Sequence, residues 1–115
     1  MKEIVDACIL VTDEGIGNGP EDLRIAMMKA FLGTLVETSP LPGQLIFITN
    51  GVKLVCSGSD VIDDIRALES AGVTILACGT CLKYFDIMNE VEVGKVSNMF
   101  EISETLLRAG HVVRV

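Results

Sequence analysis

The chain has 115 residues, half of them apolar and 22% charged, with nine Lys and Arg against sixteen Asp and Glu for a formal charge of −7. That length suits one domain of the commonest size, here residues 1–115, and is too short for two ordinary ones. The acidic balance and the absence of any basic cluster interleaved with aromatics argue against nucleic acid as a partner, and no run approaches the roughly 18 apolar residues that a membrane span needs. A mean hydropathy of +0.51 is high for so small a chain. Part of its apolar surface is therefore expected to lie in a subunit interface of a homo-oligomer.

The first stretch, MKEIVDACILVTDEG, is apolar but interrupted by Asp6 and closed by Asp13 and Glu14, so it reads as a strand over Ile4 to Val11 and not as a signal peptide. The expected location is cytoplasmic, where the four cysteines are reduced. A glycine-rich loop from Thr12 to Gly19 follows. Pro20 suits the first position of a helix, with Glu21 and Asp22 in the first turn, where the helix dipole favours acid. The spacing of Leu23, Ala26, Met27, Ala30, Phe31 and Leu35 predicts one core-facing stripe. Pro40 and Pro42 end that helix, and a second strand runs from Gln44 to Thr49 into a loop over residues 50–58.

A second helix is predicted from Ser59 as cap to Ser70, with Val61, Ile62, Ile65 and Leu68 inward and Gly72 at the position after its C-cap. The third strand is Val73 to Ala77, followed at once by Cys78-Gly79-Thr80-Cys81 and a short helix from Cys81 to Phe85. A weak strand over Glu92 to Val96 precedes a helix capped by Asn98, with Glu101 completing a capping box, that ends before Gly110. His111 to Val115 is the fifth strand. Apolar strands separated by helices predict an α/β, doubly wound, mainly parallel sheet covered on both faces. Working residues in such sheets lie in loops at the carboxyl ends of strands. That rule selects residues 12–19, 50–58 and 78–81.

The spacing Gly15-x-Gly17-x-Gly19 is not the dinucleotide fingerprint, and Asp13 and Glu14 would repel a phosphate. The loop is read as one that shapes or covers the site. For the C-x-x-C pair four readings stand: redox dithiol, half of a zinc site, sulfur carrier, or core packing. A thioredoxin-like dithiol has a later cis-proline beside it, whereas Pro20, Pro40 and Pro42 all lie upstream. Zinc would have to recruit Cys56, Cys8 or His111 from separate elements. Core packing is the strongest reading for Cys8. At a strand-to-helix corner, by contrast, backbone N–H groups can stabilise a thiolate. Lys53 would lower its pKa further if it pointed inward, although a solvated side chain is the default reading for it, and Cys56 on the same loop would face the pair across a cleft.

The segments Asn50-Gly51-Val52-Lys53-Leu54, Gly58-Ser59, Gly72-Val73, Ala77-Cys78-Gly79-Thr80-Cys81 and Ser97-Asn98-Met99 together resemble the DsrE/DsrF-like sulfurtransferase family. Within it the chain is similar, over essentially its whole length, to the DsrE-like domain of YedF-type proteins, which are linked to selenium metabolism. The resemblance implies a three-layer α/β/α sandwich with a five-stranded, mainly parallel sheet and a tendency to oligomerise, and no cofactor is expected. It places a persulfide-bearing cysteine at the end of the third strand, here Cys78, with Cys81 as the second thiol of the motif and Asn50, Lys53, Cys56, Gly79 and Thr80 around it. A glycine often stands eight positions after the first cysteine of the motif, where this chain has Asp86. YedF-type proteins also carry an N-terminal TusA-like domain with a Cys-Pro motif, and no Cys-Pro occurs in this sequence.

The expected function is a sulfurtransferase-like sulfur carrier supplied by a donor such as a cysteine desulfurase or a TusA-like protein, with selenium handling as an extension resting on the family association. The alternative is a non-catalytic module that binds a small ligand or a protein. Cys78 separates the two, since only the carrier needs its thiolate.

Overall fold

The computed structural model describes residues 2–115. Its strands are β1 (Ile4–Val11), β2 (Leu41–Phe47), β3 (Thr74–Cys78), β4 (Lys95–Ser97) and β5 (His111–Arg114), and its helices are α1 (Glu21–Glu37), α2 (Ile62–Ser70), α3 (Gly79–Tyr84) and α4 (Met99–Arg108). Short 3-10 segments cover Thr49–Val55 and Met88–Glu90. The strands form one sheet in the order β4-β3-β2-β1-β5, and every neighbouring pair is parallel. Each strand connects to the next through a helical crossover, the arrangement that parallel pairing requires. Val11, Leu45, Ile46, Phe47, Ile75, Leu76 and Ala77 are all buried, as expected of central strands covered on both faces.

From β1 to β4 the chain steps along the sheet in one direction, and from β4 to β5 it returns across it. Right-handed crossovers then put α1 and α2 on one face and α4 on the other, and α1 does pack on α2 while α4 packs on β3. The α4 face has a thinner cover. Phe100 and Leu107 on that helix are 81% and 87% exposed, and Val112 and Val113 on edge strand β5 are exposed as well.

The structure corrects the expected stripe of α1. Leu23, Ala26, Met27 and Ala30 face solvent, whereas Met28 and Leu32 are buried and Phe31 and Leu35 half-buried. The helix is apolar on several faces, so periodicity alone admits two registers. Arg24 selects between them: its Nη2 meets Asp13 at 2.7 Å and its Nε donates to the Gly17 carbonyl at 2.9 Å. With Arg24 held at the glycine loop, the residues four and eight positions on turn to the core.

Other boundaries move too. Strand β2 starts at Leu41 and includes Pro42 and Gly43, because Leu41 N–H donates to the Glu3 carbonyl at 2.8 Å and a register shift in β1 between Val5 and Cys8 accommodates the proline. The loop expected over residues 50–58 is largely 3-10 helix. The hydroxyl of Ser59 accepts from Val61 N–H at 3.3 Å, but this only forms a turn, and α2 begins at Ile62. Strand β3 takes in Cys78, α3 opens at Gly79, and β4 is confined to Lys95–Ser97.

The helix ends follow sequence chemistry closely. Asn98 accepts from Glu101 N–H at 2.9 Å and caps α4. After α2, Gly72 has φ +108°, its N–H donates to Glu69 O and Val73 N–H to Leu68 O, each at 3.0 Å, which is a Schellman motif. The same pattern closes α3, where Asp86 N–H donates to Lys83 O and Ile87 N–H to Leu82 O. Here the left-handed residue is Asp86 at φ +57°, at the place where the resemblance expects glycine. Aspartate tolerates that region at a cost glycine avoids. Asp86→Gly is expected to raise stability by about 0.5–1 kcal/mol and Asp86→Val to lower it by at least as much, measured as urea midpoints.

Candidate active site

Because all five strands are parallel, β1, β2 and β3 deliver their following loops to one edge of the sheet. The three loops are tied together there. Ile48 N–H donates to Val11 O at 3.0 Å, and the Thr49 hydroxyl donates to Thr12 O. Burial pushes the Asp13 carboxyl up, but the Glu14 N–H, the Arg24 guanidinium and Asn50 outweigh it and hold it below the ordinary aspartate range. The glycine loop is thus an anchored wall of the site.

Thr49 links all three loops, and sequence reasoning missed it. Its hydroxyl donates to Thr12 O at 2.6 Å, with its neighbouring carbonyl at Ile48 also within 2.7 Å, and its backbone N–H points at Cys81 Sγ across 3.1 Å. To do this it sits at φ +52°, a region that a β-branched residue rarely adopts. Backbone strain of this kind is kept where the surroundings enforce it, often at functional sites. The available signal was a β-branched hydroxyl residue between an apolar strand and Asn50-Gly51.

Cys78 ends β3, stands at the N-cap position of α3 without a side-chain capping hydrogen bond, and is 2% exposed. Cys81, one turn later, is half-buried, and its sulfur faces the Thr49 backbone N–H. Burial and then the Cys78 thiol push the Cys81 thiol up, while the Thr49 N–H pulls it down, for a net rise. Gly79 between them is required for close approach, since a Cβ there would lie 2.9 Å from Ser97 O. Thr80 is exposed.

Two other expected contributors are placed elsewhere. Lys53 Nζ lies 4.3 Å from the Phe85 ring centroid and 4.0 Å from the Glu14 carboxylate, and it is not among the groups acting on Cys81. Cys56 is buried and its thiol donates to Val52 O at 3.3 Å. It lines a cavity of about 420 Å³ with Glu14, Lys53, Asp60, Ile87 and Glu90, which neither Cys78 nor Cys81 reaches. Burial and the Glu90 carboxylate push its thiol up. Among the described residues no three His, Cys, Asp or Glu side chains converge as a metal ion would need, and no helix is long and apolar enough to cross a membrane.

No protein-family model and no curated protein matches the chain. Among solved structures, the ychN protein from E. coli superposes with a TM-score of 0.70 at 17% identity, over 100% of both chains. The fold is YchN-like. That makes it a DsrE-like fold, as the resemblance implied, with an all-parallel five-stranded sheet flanked by helices. Two further structures share this YchN-like fold. A protein of unknown function, MTH1491 from Methanobacterium thermoautotrophicum, matches at TM-score 0.69 and 13% identity over 99% of this chain and 100% of its own. A conserved protein of unknown function, BT1422 from Bacteroides thetaiotaomicron, matches at 0.65 and 18% over 96% and 95%. At these identities the YchN-like architecture is shared, and the dithiol corner stands on its own geometry.

Proposed function

We propose that the protein is a sulfur carrier that holds sulfane sulfur as a cysteine persulfide at the Cys78–Cys81 corner. The observation that carries this reading is the pair of thiols one helical turn apart at the carboxyl edge of the sheet, one of them half-exposed and facing a backbone N–H. A thiolate of the pair attacks the outer sulfur of a donor persulfide. A new S–S bond forms on the carrier, the donor's S–S bond breaks, and the donor leaves as a thiolate. Attack on that sulfur by an acceptor thiolate runs the same exchange in reverse, so no general base is needed.

The donor in this reading is a cysteine desulfurase or a TusA-like carrier, and selenium handled in the same way is its extension. Self-association belongs to the same proposal and is supported by the exposed Phe100 and Leu107 on α4. Incubating reduced protein with a cysteine desulfurase and cysteine is expected to add about 32 Da, removable by a thiol reductant, to the intact mass. Loss of that gain is expected in the Cys78→Ser, Cys81→Ser double variant. A wild-type protein that stays at its reduced mass would refute the proposal.

The cavity beside Cys56 favours a second reading, a small-ligand binding module. Ligand binding that survives in a Cys78→Ser, Cys81→Ser double variant would favour that module over the carrier.

A further inference from the structure

The carrier reading leaves open which thiol meets the donor, and the motif position alone points to Cys78. The structure assigns the entry step to Cys81, with the Thr49 peptide N–H as the group that holds its sulfur anion in place. This assignment rests on the carrier reading and adds to it.

Three observations lead there. Cys78 is 2% exposed at the end of an interior strand, so it is screened from a donor sulfur on another molecule, whereas Cys81, one turn on, is partly open to solvent. The sulfur of Cys81 receives a backbone N–H at 3.1 Å, and a hydrogen bond to a charged acceptor is stronger than one between neutral groups. That N–H is fixed in direction: Thr49 is held at φ +52° by its hydroxyl on Thr12 O at 2.6 Å, so the donor is aimed before any charge develops. Thr49 is therefore a positioning residue, while Cys81 is the reacting one.

The step balances. Cys81 Sγ⁻ attacks the outer sulfur of a small or protein-borne persulfide, R–S–SH. The Cys81 S–S bond forms as the R–S bond to that sulfur breaks, the electron pair leaves with R–S⁻, and the proton stays on the transferred sulfur as Cys81–S–SH. Sulfur loaded in this way sits beside the Cys78 thiol, within reach of a second exchange to it.

Two measurements test this. In the first, reduced protein is alkylated with iodoacetamide over a range of pH and the labelled peptides are sequenced by mass spectrometry. Cys81 is expected to react about tenfold faster than Cys78, and Thr49→Gly, which keeps the N–H but frees its direction, is expected to raise the pH midpoint of Cys81 alkylation by about one unit. Thr49→Ser, which keeps the hydroxyl, is expected to restore the midpoint, an outcome that a purely structural role for Thr49 would not produce. In the second, a limiting persulfide donor is supplied for short times. Sulfur is expected first on Cys81, with loading abolished in Cys81→Ser and slowed at most about threefold in Cys78→Ser.

Melting curves establish that each variant is folded. Sulfur appearing first on Cys78, Cys81→Ser loading at the wild-type rate, or an unchanged midpoint in Thr49→Gly overturns the assignment while leaving the carrier reading intact. Wild-type protein that takes up no sulfur on any cysteine overturns both.

Discussion

Gly51→Ala is expected to lower the thermal midpoint by roughly 8–12 °C, corresponding to about 2–3 kcal/mol for a chain of this size. Gly51 is buried inside the 3-10 segment after β2, and a Cβ there would stand 2.5 Å from the Val11 carbonyl oxygen and 3.2 Å from its carbonyl carbon. Both atoms are backbone. They belong to the last residue of β1, whose carbonyl already accepts from Ile48 N–H, so neither side can yield without breaking the join between the two loops. Alanine in a helical turn is favoured over glycine by about 0.5–1 kcal/mol, which is too little to offset the clash. Gly58→Ala is the control, because nothing lies within 4 Å of its Cβ and only its φ of +88° is unfavourable. It is expected to cost about 1 kcal/mol. Calorimetric melts of the two variants check the ranking, and equal losses would show that the approach of Gly51 to β1 carries no special cost.

The same contact explains what could be read from the sequence and what could not. Strand β1, the Asn98 cap of α4 and the glycine after α2 are local signals, and the structure places them as expected, although the Glu101 carboxylate bonds Ser97 and Lys95 and does not return to Asn98 N–H to complete a capping box. The register of α1 depends on Arg24 finding Asp13 across a loop, a long-range ion pair that periodicity does not encode. Much the same holds for the site. The C-x-x-C spacing and its place after β3 announced a dithiol corner, and the rule about carboxyl ends selected three loops that the structure brings together at one edge of the sheet. The ranking of the two thiols by accessibility follows instead from the depth of β3 in the sheet and from a left-handed Thr49 contributed by another loop. Lys53 lies on the expected loop, and whether it points inward was open from the sequence: a ring face and a carboxylate take its ammonium, because sequence adjacency to a site says nothing about side-chain direction.

Stability is expected to fall between pH 9 and pH 11 by about 2 kcal/mol through Cys8 alone. Cys8 is fully buried in the middle of β1, between Gln44 of β2 and Val112 of β5, and burial raises its thiol from 9.0 to about 11. Below pH 9 the thiol is neutral in the folded and unfolded chains alike, so its stabilising effect is complete. Between pH 9 and 11 the unfolded chain ionises while the folded one cannot, and unfolding gains free energy at about 1.4 kcal/mol per pH unit. Burial also raises Cys56 and Cys81, which act in the same direction. Cys8→Ala isolates the contribution of Cys8. At neutral pH it should be less stable than wild type by about 1–2 kcal/mol, the cost of a small cavity. Near pH 11 the variant should match or exceed wild type, since it has no thiol there to ionise. Urea midpoints measured at pH 7, 9, 10 and 11 would show the two curves converging and crossing. Parallel curves would mean that Cys8 ionises as freely in the folded sheet as in the unfolded chain, contrary to its burial. The convergence would also mark Cys8 as an inert core residue that neutral alkylation spares.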